Sequence, residues 1–349
     1  MATFTFDPTL LGTQDSQEHK QQRDVNVVEE IEGLIKVFED GQVERPQIVP
    51  NVTPALPQNL GVKSRDVTID KFSNIWGRFY VPTCPNGKLP LLIYFHGGGF
   101  CVGSASWSCY HEFLARLSAK ANCVIMSINY RLAPENPLPA AFDDGLKTLA
   151  WLQHQFLNGE NEWITSKCNF SSIYLAGDSA GANIAHNVAL KLGSNKRTTC
   201  DNYFNLLPLR LNGTILIQPF FGGEVRTNSE KYMAQSPRSA LTLAASDCYW
   251  RLALPEGANR DHPWCNPMAK GGIKLEDFRL MDSMVCVAEM DILKDRNLEF
   301  CNALARGGNN VEHVMCKGVG HAFQILSKSP VAQKRTVELI YHIKKFITR

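Results

Sequence analysis

The residues best suited to chemistry in this chain of 349 amino acids are Gly177-Asp178-Ser179-Ala180-Gly181. They follow an apolar run at 173–176 and precede a helix-like segment beginning near Ala182. A serine at so tight a strand-to-helix turn is held in a strained backbone, with its hydroxyl clear of the main chain and beside a helix N-terminus. Small residues two places to either side let strand and helix approach closely. The spacing alone is common, and an ordinary glycine-rich turn would share it. A serine hydroxyl is also a poor nucleophile at neutral pH unless a base activates it, so the reading needs partners.

The first partner is His96-Gly97-Gly98-Gly99-Phe100, directly after an apolar run at 91–95. Acyl transfer develops an oxyanion that fixed backbone N–H groups stabilise, and removal of one such donor costs roughly 3–4 kcal/mol of barrier. Glycine lets the backbone come that close and take positive φ. The donors expected are Gly98 and Gly99 together with Ala180, and Gly97 belongs to the same region. A phosphate loop is the rival, disfavoured because no Lys-Ser or Lys-Thr follows the glycines.

The base and the acid should follow the nucleophile in the order acid, then histidine. Beyond the last apolar run, 311–316, stand His321 and His342. His321 lies in the loop Lys317-Gly318-Val319-Gly320-His321-Ala322-Phe323, where it can reach a serine at the end of a neighbouring strand. His342 falls inside the terminal helix, as a surface or packing residue. The acid is sought after the run 284–287, in Ala288-Glu289-Met290-Asp291-Ile292-Leu293. Asp291 is the choice, to orient His321 and stabilise its imidazolium. Glu289, nearer the strand end, and Asp295, at a helix start where capping alone would account for a carboxylate, are the rivals. The other histidines read as structural: His19 in a polar tail, His111, His154 and His186 in helices, His262 in a turn, His313 in a strand. None has the spacing of a metal site, so neither metal nor cofactor is expected.

Positioning these residues takes strands that alternate with helices. Apolar runs at 91–95, 123–128, 173–176, 214–217 and 284–287, with 311–316, read as strands buried on both faces. Helix-like stretches at 108–120, 140–156, 180–192, 295–307 and 331–347 lie between or after them. This pattern predicts a mainly parallel sheet covered by helices on both sides, with strands at 65–69 and 76–81 as an antiparallel edge. Residues 26–38 read as a short helix and then a strand, Asp40-Gly41 as a hairpin turn, and 46–61, with four prolines, as an extended linker. The stretch 220–270 interrupts the alternation, and with the N-terminal segment it reads as a lid. Residues 1–25 are expected to be a flexible tail and 26–349 a single domain. Phe100, Trp107, Phe220, Phe221 and Trp250 are candidates to line a substrate pocket, with plain core packing as the alternative for each.

Composition narrows the partners. Hydrophobic residues make up 44% and charged residues 20%, the balance of a globular protein with a sizeable core. A formal net charge of +2 with scattered Lys and Arg offers no nucleic-acid footprint and no membrane-surface patch. No apolar run approaches the roughly 18 residues needed to span a bilayer. The start, Met1-Ala2-Thr3-Phe4, does not read as a secretory signal, and the end, Phe346-Ile347-Thr348-Arg349, carries no address. Eleven cysteines with no Cys-x-x-Cys pair suit a reducing compartment, so a cytoplasmic or nuclear location is expected. The expected partner is a small-molecule ester, and the expected state a monomer or weak homo-oligomer.

With Asn129-Tyr130-Arg131-Leu132-Ala133-Pro134-Glu135 added to the motifs above, the chain resembles the plant carboxylesterases, in the hormone-sensitive-lipase-like branch of the α/β-hydrolases. The likeness runs from Ile31 onward and stays close across 246–266. It implies the α/β-hydrolase fold and a serine carboxylesterase, with Ser179 as nucleophile, His321 as base, Asp291 as acid, and Gly97 with Gly98 or Gly99 in the oxyanion region. The family usually has Asp or Glu where this chain has Asn129, a position implied to be structural. It also contains gibberellin receptors that lack the catalytic histidine, present here as His321, and isoflavanone dehydratases with threonine in place of the serine. Other members cyclise alkaloid precursors or transfer acyl groups. A receptor-like or non-hydrolytic role is therefore the alternative to hydrolysis.

Overall fold

The computed structural model describes residues 26–83, 85, 87–159, 161–195, 208–233, 239–269, 275 and 278–349. The expected tail at 1–25 lies outside the described residues.

The chain opens with a small antiparallel sheet of β1 (Val27–Ile31), β2 (Ile35–Phe38) and β3 (Val43–Glu44). The helix expected at the start of this segment is therefore a strand. Val27, Val28 and Ile31 are β-branched and suit a pleated surface, and Gly33, at φ +71°, closes the turn that pairs β1 with β2. Asp40-Gly41 makes its turn, with Gly41 at φ +80°.

The main sheet is built from β4 (Val62–Asp70), β5 (Ile75–Pro82), β6 (Leu89–Phe95), β7 (Val124–Asn129) and β8 (Cys168–Asp178), joined by three strands from later in the chain. The helices among them are α1 (Ser108–Ala121), α2 (Ala140–Asn158), α3 (Glu162–Thr165) and α4 (Ala180–Leu192). Next come β9 (Ser194–Asn195), β10 (Leu211–Ile217), α5 (Asn228–Tyr232), α6 (Leu243–Ala253), β11 (Phe278–Arg279) and β12 (Asp282–Ala288). The chain closes with α7 (Lys294–Arg306), β13 (Val311–Cys316), α8 (Phe323–Leu326) and α9 (Pro330–Ile347). The eight-stranded order is β13-β12-β10-β8-β6-β7-β5-β4, while β9 and β11 pair separately. Within the eight, β5 alone runs opposite to the other seven. The pair β4–β5 is thus the antiparallel edge expected at 65–69 and 76–81.

Side chains that alternate along a strand face opposite layers. Leu91, Ile93 and Phe95 of β6 join a core with Leu149 of α2, Val188 of α4 and Phe300 of α7. Leu92 and Tyr94 join the opposite core with Leu114 of α1 and Ile343 of α9. Two apolar layers explain why these strands read as unbroken apolar runs. Among the described residues, no helix is long and apolar enough to cross a membrane.

The described residues of the 220–270 segment, 220–233 and 239–269, fold as an insertion over the glycine loop. A Cβ at Gly99 would fall inside the ring of Tyr249 on α6, which shows how closely the insertion is seated. Glu29 of β1 pairs with Arg251 of α6 at 2.6 Å, joining the N-terminal sheet to that cover. Arg45 ties the same segment to the body: its Nε donates to the Cys101 carbonyl at 2.6 Å and its Nη2 to the Ala133 carbonyl at 2.8 Å. Beneath α5, the buried Glu230–Arg296 pair at 3.1 Å fixes the other end of the insertion.

Candidate active site

Ser179 sits between the last residue of β8 and the first of α4, at φ 52° and ψ −120°. A non-glycine residue there is strained, and the surroundings hold it. Its N–H donates to the Ile217 carbonyl at 2.9 Å, and its carbonyl accepts from Phe220 N–H at 3.0 Å. The flanking glycines are needed sterically: a Cβ at Gly181 would overlap the Phe95 carbonyl, and one at Gly177 the backbone of Gly181. Asn183, one turn into α4, donates to the carbonyls of Phe220 and Trp264 at 2.9 and 2.8 Å, fixing the insertion against the turn.

His321 and Asp291 follow β13 and β12, so both reach the edge where β8 ends. His321 Nε2 lies 2.9 Å from Ser179 Oγ, and His321 Nδ1 lies 2.7 Å from Asp291 Oδ2. Asp291 is 1% exposed, and its other oxygen accepts from Leu293 N–H at 3.0 Å. Burial pulls the His321 imidazolium down, but the neighbouring charge of Asp291, its hydrogen bond and the charge of Asp178 outweigh it, leaving the pKa raised. The rival carboxylates have other partners. Glu289 accepts from Gly318 N–H at 2.8 Å and Asp295 from Ser229 N–H at 2.7 Å, so they brace the His321 loop and α5. His342 lies on α9, its Nδ1 3.9 Å from Glu312.

The glycine loop leaves β6 and turns beneath Ser179. Gly98 and Gly99 take φ +113° and +58°. Among the described residues, no acceptor engages the N–H groups of Gly98, Gly99 or Ala180. Gly97 differs: its N–H donates to Tyr110 Oη at 2.7 Å, so this glycine is committed to holding the loop rather than to an incoming oxyanion. Asn129 has a structural place, accepting from Ser104 Oγ at 2.8 Å and Ala105 N–H at 3.1 Å just beyond the loop.

The aromatic candidates are packed among themselves. Phe220 stacks on Trp250 at 4.6 Å and Phe100 meets Trp250 at 5.4 Å, all three at most 1% exposed. Phe221 packs on Phe300 at 4.8 Å. Trp107, partly exposed, leads into α1 and bridges Asn51. Four of the five therefore belong to the buried apolar cluster beside the site.

Three polar side chains near the serine had no place in the sequence reading. Gln218, at φ 49°, accepts from Ala322 N–H at 2.6 Å and so holds the residue after His321. Asp178 and Tyr110 meet behind the nucleophile at 3.0 Å. Only Asp178 carried a signal, as the variable place inside the serine motif.

A strained serine at a strand-to-helix turn, hydrogen-bonded to a histidine and a buried carboxylate that follow later strands of a parallel sheet, defines the α/β-hydrolase class. The comparisons agree. The family model described as the alpha/beta hydrolase fold matches residues 92–325. Probable carboxylesterase 6 of Arabidopsis thaliana is 51% identical over 327 residues, covering 92% of this chain and 91% of that protein. A gibberellin receptor of the same plant is 36% identical over 269 residues, 72% of each chain. Among solved structures, the hyperthermophilic esterase of the archaeon Pyrobaculum calidifontis superposes with a TM-score of 0.67 at 25% identity, covering 82% of this chain and 87% of that one. The chain belongs to the α/β-hydrolase family, within its plant carboxylesterases.

Proposed function

We propose that this chain is a carboxylesterase that hydrolyses esters of small apolar or aromatic molecules through an acyl-enzyme. The observation that carries the reading is the hydrogen-bond chain Ser179–His321–Asp291, at 2.9 and 2.7 Å, beside the N–H groups of Gly98, Gly99 and Ala180. Ser179 Oγ attacks the ester carbonyl as His321 Nε2 takes its proton. The carbonyl oxygen, now negative, receives hydrogen bonds from the Gly98, Gly99 and Ala180 N–H groups. Collapse of the tetrahedral species expels the alcohol, protonated by His321. Water then enters with His321 again as base, releasing the acid and restoring Ser179. Asp291 keeps Nδ1 protonated, so that Nε2 carries the lone pair facing the serine. This chemistry calls on no metal or cofactor.

The aromatic ring of Tyr249, seated against Gly99 beside the donor N–H groups, supports an apolar or aromatic substrate. Nine free cysteines among the described residues support a reducing compartment, and the cytosol or nucleus is our reading. A monomer or weak homo-oligomer, with neither nucleic acid nor membrane as partner, completes the proposal. The relation to a gibberellin receptor keeps a second reading in view, that of ligand binding with little turnover. Hydrolysis of p-nitrophenyl acetate and butyrate by wild type and His321→Ala separates the two. Sustained turnover lost in the variant supports the esterase. A single burst, or none, from folded wild type supports the receptor or a non-hydrolytic reaction.

A further inference from the structure

Behind the nucleophile lies a polar cluster that the mechanism above does not use. Asp178, next to Ser179, is 1% exposed. Tyr94 Oη on β6 donates to its Oδ1 at 2.8 Å, and Tyr110 Oη on α1 donates to its Oδ2 at 3.0 Å. Tyr110 Oη also accepts the Gly97 N–H at 2.7 Å. A backbone N–H can only donate, so the single phenolic proton is left for the carboxylate. Polarity along Gly97 N–H, Tyr110 O–H and Asp178 is therefore fixed. The contact is close, since a Cβ at Gly97 would stand 2.7 Å from Asp178 Oδ2 and 3.1 Å from Ser179 Cβ. Other titratable groups that face Asp178 among the described residues are Cys109 on α1, Tyr130 after β7 and His321 after β13.

We infer that Asp178 and Tyr110 are positioning residues for the reaction proposed above, an inference that rests on that reading: Tyr110 anchors the glycine loop to Asp178, and the Asp178 carboxylate joins Asp291 in favouring a charged His321. Burial pushes Asp178 up to about 6, against the pull of Tyr94, Tyr110 and His321, so it carries its charge at neutral pH and loses it in mild acid. Its effect on His321 acts through space, whereas Asp291 touches the ring. The two roles separate experimentally. Tyr110→Phe removes the acceptor of the Gly97 N–H and loosens the loop bearing Gly98 and Gly99. Asp178→Asn keeps the volume and removes the charge.

The test uses the full chain with 13C-labelled histidine. The His321 signal is assigned through His321→Gln and titrated by NMR in wild type, Asp178→Asn and Tyr110→Phe, with thermal melts for folding. In parallel, pH profiles are recorded with p-nitrophenyl butyrate. Tyr110→Phe is expected to lower kcat by about 10–100-fold, with KM within about twofold, since a whole oxyanion donor is worth about 10²–10³-fold. Tyr94→Phe removes a comparable bond from Asp178 but none from the loop, so its loss should be distinctly smaller. Asp178→Asn should move both the His321 midpoint and the acid limb of kcat/KM to lower pH. The NMR midpoint needs no turnover, so an inactive wild type would count against the esterase reading while the titration still judges Asp178. A folded Tyr110→Phe with kcat within twofold of wild type, equal losses in the two tyrosine variants, or an unmoved His321 midpoint would overturn the inference.

Discussion

Replacing Asp291 by asparagine changes one buried atom, and the structure determines which. Asp291 Oδ1 accepts from Leu293 N–H at 3.0 Å, and Oδ2 faces His321 Nδ1 at 2.7 Å. An asparagine keeps its carbonyl oxygen on Leu293, because the opposite rotamer would set an amide donor against a backbone donor. Its NH2 group then points at Nδ1. The imidazole answers by accepting there, which moves its proton to Nε2, opposite Ser179 Oγ. The base is thereby in the wrong tautomer, an error that costs about 10⁴-fold in kcat in a serine hydrolase. At roughly 1.4 kcal/mol per decade, this is about 5 kcal/mol of barrier. The charge lost has a second consequence. Burial disfavours the imidazolium and Asp291 favours it, so without that carboxylate the raised pKa of His321 falls. His321 must be neutral to act as base, so wild-type kcat/KM declines as pH falls through that raised value. In Asp291→Asn the residual activity should decline at lower pH. Steady-state kinetics on p-nitrophenyl butyrate from pH 5 to 9, with circular dichroism as a fold check, measure both effects. A folded Asp291→Asn within about tenfold of wild-type kcat, or with its acid limb unmoved, would refute the reasoning.

Other expectations follow from the same geometry. Glu230→Ala leaves Arg296 charged and buried without its 3.1 Å partner, and urea denaturation should show a loss of about 3–5 kcal/mol. Gln218→Leu orphans the Ala322 N–H beside His321, and kcat should drop about tenfold with little change in KM, by kinetics on folded protein. Gly99→Ala forces a Cβ into the Tyr249 ring at a positive φ, and both thermal stability and esterase rate should fall.

The residues that meet at Ser179 were legible in the sequence because each follows a strand whose burial on both faces leaves an apolar run. Chain order then paired the loop after 284–287 with the loop after 311–316. The sheet was legible for the same reason, with β4 and β5 placed as an edge pair. Less could be read where tertiary contact decides. Residues 26–33 carry apolar groups at a spacing that a helix also satisfies, and the strand emerges from β-branching and the Gly33 turn. Tyr110 lies on a helix 68 positions before Asp178, and nothing local distinguishes it from the core aromatics around it. Gln218 meets Ala322 across 104 positions. Phe100, Phe220 and Trp250 have the composition of a pocket wall, yet they pack against one another, because composition does not say which neighbour an aromatic ring will find. The sequence placed Gly97 in the same region as the donors Gly98 and Gly99, and the Tyr110 hydroxyl that takes up its N–H is what sets it apart.

The most direct measurement of the central claim is multiple-turnover hydrolysis of p-nitrophenyl butyrate by wild type against Ser179→Ala, with both proteins shown to be folded. Sustained turnover is expected of wild type, and a loss of roughly 10⁴-fold or more in the variant. Full activity in Ser179→Ala would contradict that claim.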